Sequence, residues 1–264
     1  MRIVLGVEYD GASFCGWQSQ SSACGVQDAL EKGIQSIAEH EIRIHAAGRT
    51  DTGVHAMMQV VHFDSETNRP GSAWVRGVNA FLPETVRVLW SHAVPDELGE
   101  NAFHARFSAL RRSYQYLLIN APVAPAILAS KAGWYHAPLD VTAMQKAVTY
   151  LLGEHDFSAF RASECQAKSP IRTMLQANIY EAGSHIIFNF SANAFLQHQV
   201  RNMVGALIYI GNGKYSPDYM KVLLESQDRT LSPPTFSAHG LYLTGVEYDK
   251  KWNLPLTQRQ IAVI

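Results

Sequence analysis

The sequence is short of the features that mark several large protein classes. It has no run of about 18 uninterrupted apolar residues, which speaks against a membrane-spanning helix. Its first stretch, Met1-Arg2-Ile3-Val4-Leu5-Gly6-Val7-Glu8, is broken by Glu8 and Asp10 and reads as a strand rather than a signal peptide. Only three cysteines occur, Cys15, Cys24 and Cys165, with no CxxC pair. That count and spacing supply neither a disulfide framework nor a zinc site, so reduced thiols in the cytoplasm are expected. A basic excess is also missing: 22 Lys and Arg stand against 23 Asp and Glu, for a formal net charge of −1. A nucleic-acid binder of this composition must sort its cations onto one face. The groupings Arg106, Arg111, Arg112 and Arg161, Lys168, Arg172 permit that sorting. No G-x-G-x-x-G follows a strand, and neither H-E-x-x-H nor a P-loop is found.

What is present fits a folded protein of one large or two modest domains: 264 residues, 47% hydrophobic and 17% charged. Ile3, Leu5, Val7 and Tyr9 alternate as in a strand. Val26, Ala29, Leu30, Gly33, Ile34, Ile37 and Ala38 recur at helical spacing. Strand-like runs follow at 42–47 and 57–64, with a Gly-rich loop at 48–56 between them. A short helix is expected from a Ser72 cap, then a strand at 85–94. The second half repeats the rhythm. A strand at 112–119 carries Tyr114, Tyr116 and Leu118 on one face, and a helix at 141–152 is bounded by Asp140 and Gly153. Strands at 173–181 and 185–191 flank Gly183-Ser184, a hairpin signal. A long apolar helix is expected at 195–210, a further helix start at Ser216-Pro217, and a last strand at 240–248. The residues from 250 to 264 show no clear period. Gly6-Val7-Glu8-Tyr9-Asp10 recurs as Gly245-Val246-Glu247-Tyr248-Asp249, a hint of internal duplication. These signals predict an α+β protein, with antiparallel sheet and helices mainly on one face.

The densest chemistry lies in Ala47-Gly48-Arg49-Thr50-Asp51-Thr52-Gly53-Val54-His55-Ala56. Glycines let a backbone turn sharply and let a ligand approach closely. On its residues alone, this loop is either a plain turn in which Asp51 caps neighbouring amides or a functional site on a sheet.

The run Gly48-Arg49-Thr50-Asp51-Thr52-Gly53-Val54-His55-Ala56 resembles the signature of the tRNA pseudouridine synthase A family. Further segments resemble the same family in the same order: Phe103-His104-Ala105-Arg106-Phe107-Ser108, Arg112-Ser113-Tyr114-Gln115-Tyr116, Asp156-Phe157-Ser158-Ala159-Phe160, residues 195–205, and His239-Gly240-Leu241-Tyr242-Leu243. Two positions depart from the usual pattern. Thr52 stands where the family more often has alanine, and Gln199 where it more often has methionine.

The resemblance implies two ferredoxin-like (RRM-like) halves that share a mainly antiparallel sheet, with the active-site cleft between them. The halves would run from 1 to 105, with the aspartate loop, and from 106 to 249, with Tyr114 and Arg201, followed by a tail at 250–264. It implies an isomerase that converts uridine to pseudouridine in the anticodon stem-loop of tRNA, at tRNA positions 38, 39 and 40. That reaction is redox-neutral, so no cofactor and no metal are expected. A cytoplasmic homodimer that binds tRNA is implied as well.

By the same resemblance Asp51 is the catalytic carboxylate, a residue type able to attack a sugar carbon or stabilise positive charge on it. Arg201 pairs with it; on sequence alone a solvated or snorkelling side chain is the other reading. Tyr114 stacks on the target uracil and sits near the C5 proton, against the alternative of core packing. Arg49 helps displace the base from its stack, and His55 and Arg106 contact the substrate. Two rivals remain at this level: a noncatalytic ferredoxin-like RNA-binding protein, and a metal-dependent hydrolase using Asp51 with the histidines.

Overall fold

A computed structural model describes residues 1–95 and 102–261. Within it the chain forms two compact units. The first comprises Met1–Leu110 together with Leu243–Ile261. The second comprises Arg111–Tyr242.

In the first unit, β1 (Arg2–Tyr9) lies between β3 (His55–Asp64) and β4 (Val86–Val94) and is antiparallel to both. Its side chains are buried on both sides, which explains the near-continuous apolar run Ile3-Val4-Leu5. The short β2 (His45–Ala46) pairs with β3, His45 opposite His62. α1 (Val26–Ala38) buries Val26, Leu30, Gly33, Ile34 and Ala38, the stripe expected from its period. Its start is fixed by Asp28, whose Oδ2 accepts the Gly25 N–H at 2.9 Å. Gly33 permits close packing: a Cβ there would lie 3.2 Å from Leu82 Cδ2 and 3.4 Å from Val78 Cγ1. Those two residues belong to or follow α2 (Val78–Phe81), which continues a widened turn at Ala73–Gly77. Ser72 precedes that turn with helical angles and no side-chain cap bond, so its hydroxyl does not start the helix as expected.

The first unit thus follows a β–α–β–β–α–β succession, with the spatial order β4-β1-β3 and β2 against β3. β10 (Leu241–Tyr248) follows β3 along the sheet. The residues after it, which show no period in sequence, are held by specific bonds. Gly245 bridges Gln258, the Arg259 N–H reaches the Thr244 carbonyl at 2.8 Å, and Trp90 Nε1 donates to the Leu256 carbonyl at 2.8 Å. Arg259 also pairs with Glu8, and Trp252 is buried edge-on against Phe103. These contacts are long-range, so periodicity could not reveal them.

In the second unit, β5 (Ala109–Asn120) is antiparallel to β9 (His185–Ala192), with Tyr114 opposite Phe190 and Tyr116 opposite Phe188. β9 joins β8 (Ile171–Ala182) through Gly183, whose φ of +62° suits glycine in a tight hairpin. β7 (Gly153–Asp156) pairs with β8, and β6 (Gly133–Tyr135) runs parallel to β5. The face of β5 opposite Tyr114 is covered too, since Gln115, Leu117 and Ile119 are buried. α3 (Val141–Val148) starts at Asp140, whose Oδ1 accepts the Ala143 N–H at 2.9 Å. α4 (Gln199–Gly211) begins four residues later than its apolar pattern suggests, because His198 adopts a left-handed φ of +62° just before it. α5 (Tyr219–Ser226) follows Ser216-Pro217.

One expectation fails outright. Cys15 and Cys24 are joined in a disulfide, their Cα atoms 5.4 Å apart, while Cys165 alone stays free and buried. Eight residues lie between the pair in sequence, and only the loop fold between β1 and α1 brings them together.

Candidate active site

The loop between β2 and β3 is fastened at nearly every residue. Ala47 donates its N–H to the Val60 carbonyl at 2.8 Å. The buried Gln59 donates Nε2 to the Gly48 carbonyl at 2.7 Å. Thr50 is gripped twice: its carbonyl accepts the Trp17 N–H at 2.9 Å, and its hydroxyl meets the Tyr9 hydroxyl at 2.8 Å. The ring of Tyr9 packs on Trp17, centroids 5.8 Å apart. Beyond Asp51 the chain turns back, with the Val54 N–H on the Asp51 carbonyl at 3.1 Å and Gly53 at φ +80°. Buried bonds of this kind contribute about 1 kcal/mol each and resist exchange with water. The backbone of Asp51 is therefore presented from a fixed turn, its side chain partly exposed. Arg49 beside it is exposed.

His55 follows the loop and is buried at the start of β3. Its Nδ1 lies 3.1 Å from the Gly11 amide nitrogen and 3.0 Å from Asp10 Oδ1. An unprotonated Nδ1 accepts from Gly11, and a protonated one donates to Asp10; one nitrogen cannot do both at once. Gly11 tolerates no side chain, because a Cβ there would fall 1.9 Å from the Val54 carbonyl oxygen. Nothing in the loop's own residues signals this support: Tyr9, Gly11, Gly16, Trp17 and Gln59 lie in other segments, and only their position in the fold makes them part of it.

Tyr114, on β5 of the second unit, is 9% exposed and meets Phe195 edge-on, centroids 5.1 Å apart. Its neighbour Tyr116 is fully buried and donates its hydroxyl to the Ser237 carbonyl at 2.9 Å; burial pushes this phenol far above its ordinary range. Arg201 is the third residue of α4. Its Nε donates to the Phe236 carbonyl at 2.9 Å, and its own carbonyl accepts the Phe236 N–H at 3.3 Å. Next to it the buried Asn202 ties α4 to the Phe160 carbonyl at 2.8 Å and accepts from the Thr235 hydroxyl at 2.7 Å. Arg201 is thus bonded to the segment at Phe236 through both its side chain and its backbone, on a helix that Asn202 anchors.

Arg106 is exposed in the first unit, with its guanidinium 5.6 Å from the centre of the Phe107 ring. Behind it, His45, His62 and His104 pack ring on ring. Burial, then the charges of His104, Arg2 and His45, lower the pKa of His62 to about 3. Its Nδ1 accepts the Ala105 N–H at 3.1 Å, which requires the neutral ring. Among the described residues no three His, Cys, Asp or Glu side chains are gathered so as to hold a metal ion. In the second basic grouping Lys168 is exposed, while both arginines already bond to nearby backbone. Arg161 donates to the Cys165 and Ala167 carbonyls, and Arg172 to those of Ser169 and Ile171.

Comparison with known proteins adds to this geometry. A family profile described as tRNA pseudouridine synthase matches residues 6–108 and 147–249. A protein of Methylobacillus flagellatus named tRNA pseudouridine synthase A is 62% identical over 263 residues, covering 100% of this chain and 99% of its own. Proteins with the same name from Chromobacterium violaceum and Nitrosomonas eutropha are 56% and 53% identical, each over 97% of this chain and over 96% and 90% of their own lengths. No helix among the described residues is long and apolar enough to cross a membrane.

Proposed function

The chain belongs to the tRNA pseudouridine synthase family, and from that premise we propose that it isomerises uridine to pseudouridine in the anticodon arm of tRNA, at tRNA positions 38, 39 and 40. The observation that carries this reading is the loop at 48–54, whose backbone is locked around Asp51 by Thr50, Gln59 and Trp17. Catalysis at a sugar carbon needs a carboxylate held in place before the substrate arrives.

In the reaction the N1–C1′ bond breaks, the uracil turns, and C5 bonds to C1′. C5 gives up a proton and N1 gains one, so nothing is oxidised and no group is lost. A nicotinamide, a flavin or a metal has no task in these steps. Asp51 either attacks C1′ or stabilises the positive charge that develops there. Arg201 is the cationic partner of Asp51, a role that rests on the resemblance of residues 195–205 to the family. Tyr114 offers a ring face to the uracil and a hydroxyl near C5. The exposed Arg49 and Arg106 meet the RNA, Arg49 by wedging the target base out of its stack at a cost of a few kcal/mol. The buried His55 serves substrate binding through the loop that it supports.

Two ferredoxin-like halves, a homodimer with one tRNA touching both subunits, and a cytoplasmic location belong to the same reading. The β–α–β–β–α–β succession of the first unit argues for the first of these. The experiment is to incubate unmodified tRNA with the protein, treat it with a carbodiimide that marks pseudouridine, and map the reverse-transcription stops. Stops confined to the anticodon arm support the reading. RNA that binds but shows no new stops would favour a noncatalytic RNA-binding protein.

A further inference from the structure

We propose that Cys15 and Cys24 form a reversible thiol–disulfide site that sets how firmly the Asp51 loop is held. The proposal rests on the isomerase reading above for its activity readout only.

The disulfide sits in the connection between β1 and α1, with Cys15 exposed and Cys24 partly exposed. The backbone that it clamps runs between two neighbours. On one side the Cys15 N–H reaches the Cys24 carbonyl at 3.0 Å, and the Gly16 and Trp17 carbonyls accept from Val26 and Gln27 at 3.1 and 3.0 Å. On the other side lies the Asp51 loop. Trp17 donates its N–H to the Thr50 carbonyl, and Gly16 faces the Asp51 backbone so closely that a Cβ on it would lie 3.3 Å from the Asp51 carbonyl carbon. One residue therefore separates a bonded sulfur from the wall of the catalytic loop. With the disulfide formed, residues 16–23 are a closed loop and segment 15–17 is pinned to segment 24–27. With both thiols free, that segment is held by the ladder of backbone bonds, by Gln20 Nε2 on the Cys15 carbonyl and by the packing of Trp17 on Tyr9, with no covalent link.

Accessible sulfurs exchange readily with small disulfides, whereas buried ones do not. The oxidant is a low-molecular-weight disulfide of the glutathione class. The thiolate of one cysteine attacks it, releasing one small thiol and leaving a mixed disulfide. The second cysteine thiolate attacks the protein sulfur of that bond and releases the other small thiol. Two S–H bonds are lost on the protein and two are gained on the small thiols, so atoms and electrons balance. Cys165 is buried and has no partner cysteine, which makes it an internal control.

The test equilibrates the full-length protein across a series of oxidised and reduced glutathione. Free thiols are counted by alkylation and mass spectrometry. Hydrogen exchange is followed in the peptide that covers residues 48–56, and kcat and KM are measured on tRNA. The expected result is a switch between one free thiol and three. Full reduction should bring faster exchange in that peptide and a several-fold lower kcat with unchanged KM. Replacing both residues, Cys15→Ser with Cys24→Ser, should lock the reduced behaviour at every ratio, while Cys165→Ser should leave the response intact. Should the double variant fail to fold, the wild-type series alone decides. Three free thiols at all ratios, or identical exchange and kcat in both states, would overturn the proposal. A loop that responds to redox state in a protein that never modifies tRNA would uphold the coupling and sink the isomerase reading instead.

Discussion

Gly16 lies against the backbone of Asp51, at φ +96°, with room for a hydrogen atom and little more. A Cβ there would stand 3.0 Å from the Thr50 carbonyl oxygen and 3.2 Å from the Thr52 nitrogen. Both neighbours are backbone, which cannot swing aside as a side-chain end could. Gly16→Ala should therefore strain its own segment by about 1–3 kcal/mol and push on the Asp51 turn. Urea denaturation should show the lost stability, and single-turnover kinetics a slower chemical step with tRNA affinity retained. Wild-type stability and rate would mean that this contact does not position the loop.

Acid should weaken the first unit through His62. The folded ring takes a proton only near pH 3, whereas the unfolded one does so near pH 6.5. Stability is therefore complete above pH 6.5 and falls as the pH drops toward 3, because only the unfolded chain gains the proton. Between pH 6.5 and pH 5 the loss is roughly 2 kcal/mol from this group. His104, its pKa also lowered first by burial, adds in the same direction. Asparagine keeps an acceptor for the Ala105 N–H and does not titrate, so His62→Asn should flatten the dependence in denaturation curves at pH 7 and pH 5.

Much of the fold could be read from the chain, and the reasons are local. α1 shows its buried stripe at a period near four, and the β8–β9 hairpin shows Gly183 at its turn, because both are built from near neighbours. The Asp51 loop was legible as a motif for the same reason. Its scaffold was not. Tyr9, Gly16, Trp17 and Gln59 reach it through tertiary contacts that leave no periodic trace. The late start of α4 depends on the left-handed turn at His198, which falls inside an otherwise continuous helical pattern. The Cys15–Cys24 bond escaped because compartment and spacing argued against it, whereas the loop geometry brings the two together.

Arg201 is aimed by its bond to the Phe236 carbonyl, so charge and direction can be separated. Arg201→Lys keeps the charge and loses the guanidinium N–H; Arg201→Ala loses both. Both variants should bind tRNA, and saturating turnover should fall for both, by about two orders of magnitude for alanine. An alanine variant with near wild-type kcat would remove Arg201 from the catalytic machinery.

Tyr114→Phe preserves the ring that packs edge-on against Phe195 and removes only the hydroxyl. Normal tRNA binding with a stalled reaction would assign the hydroxyl to proton transfer at C5. That outcome is expected, read as loss of turnover at constant KM. Full activity would leave Tyr114 as a stacking surface.

The most direct measurement is tritium release from tRNA labelled at C5 of uridine, comparing wild type with Asp51→Asn in the presence of a chelator. The two side chains are nearly the same size, so folding and RNA binding should match. Release by wild type and none by the variant is the predicted result. Equal release by both proteins would contradict a catalytic role for Asp51, because the chemistry would then not depend on its carboxylate.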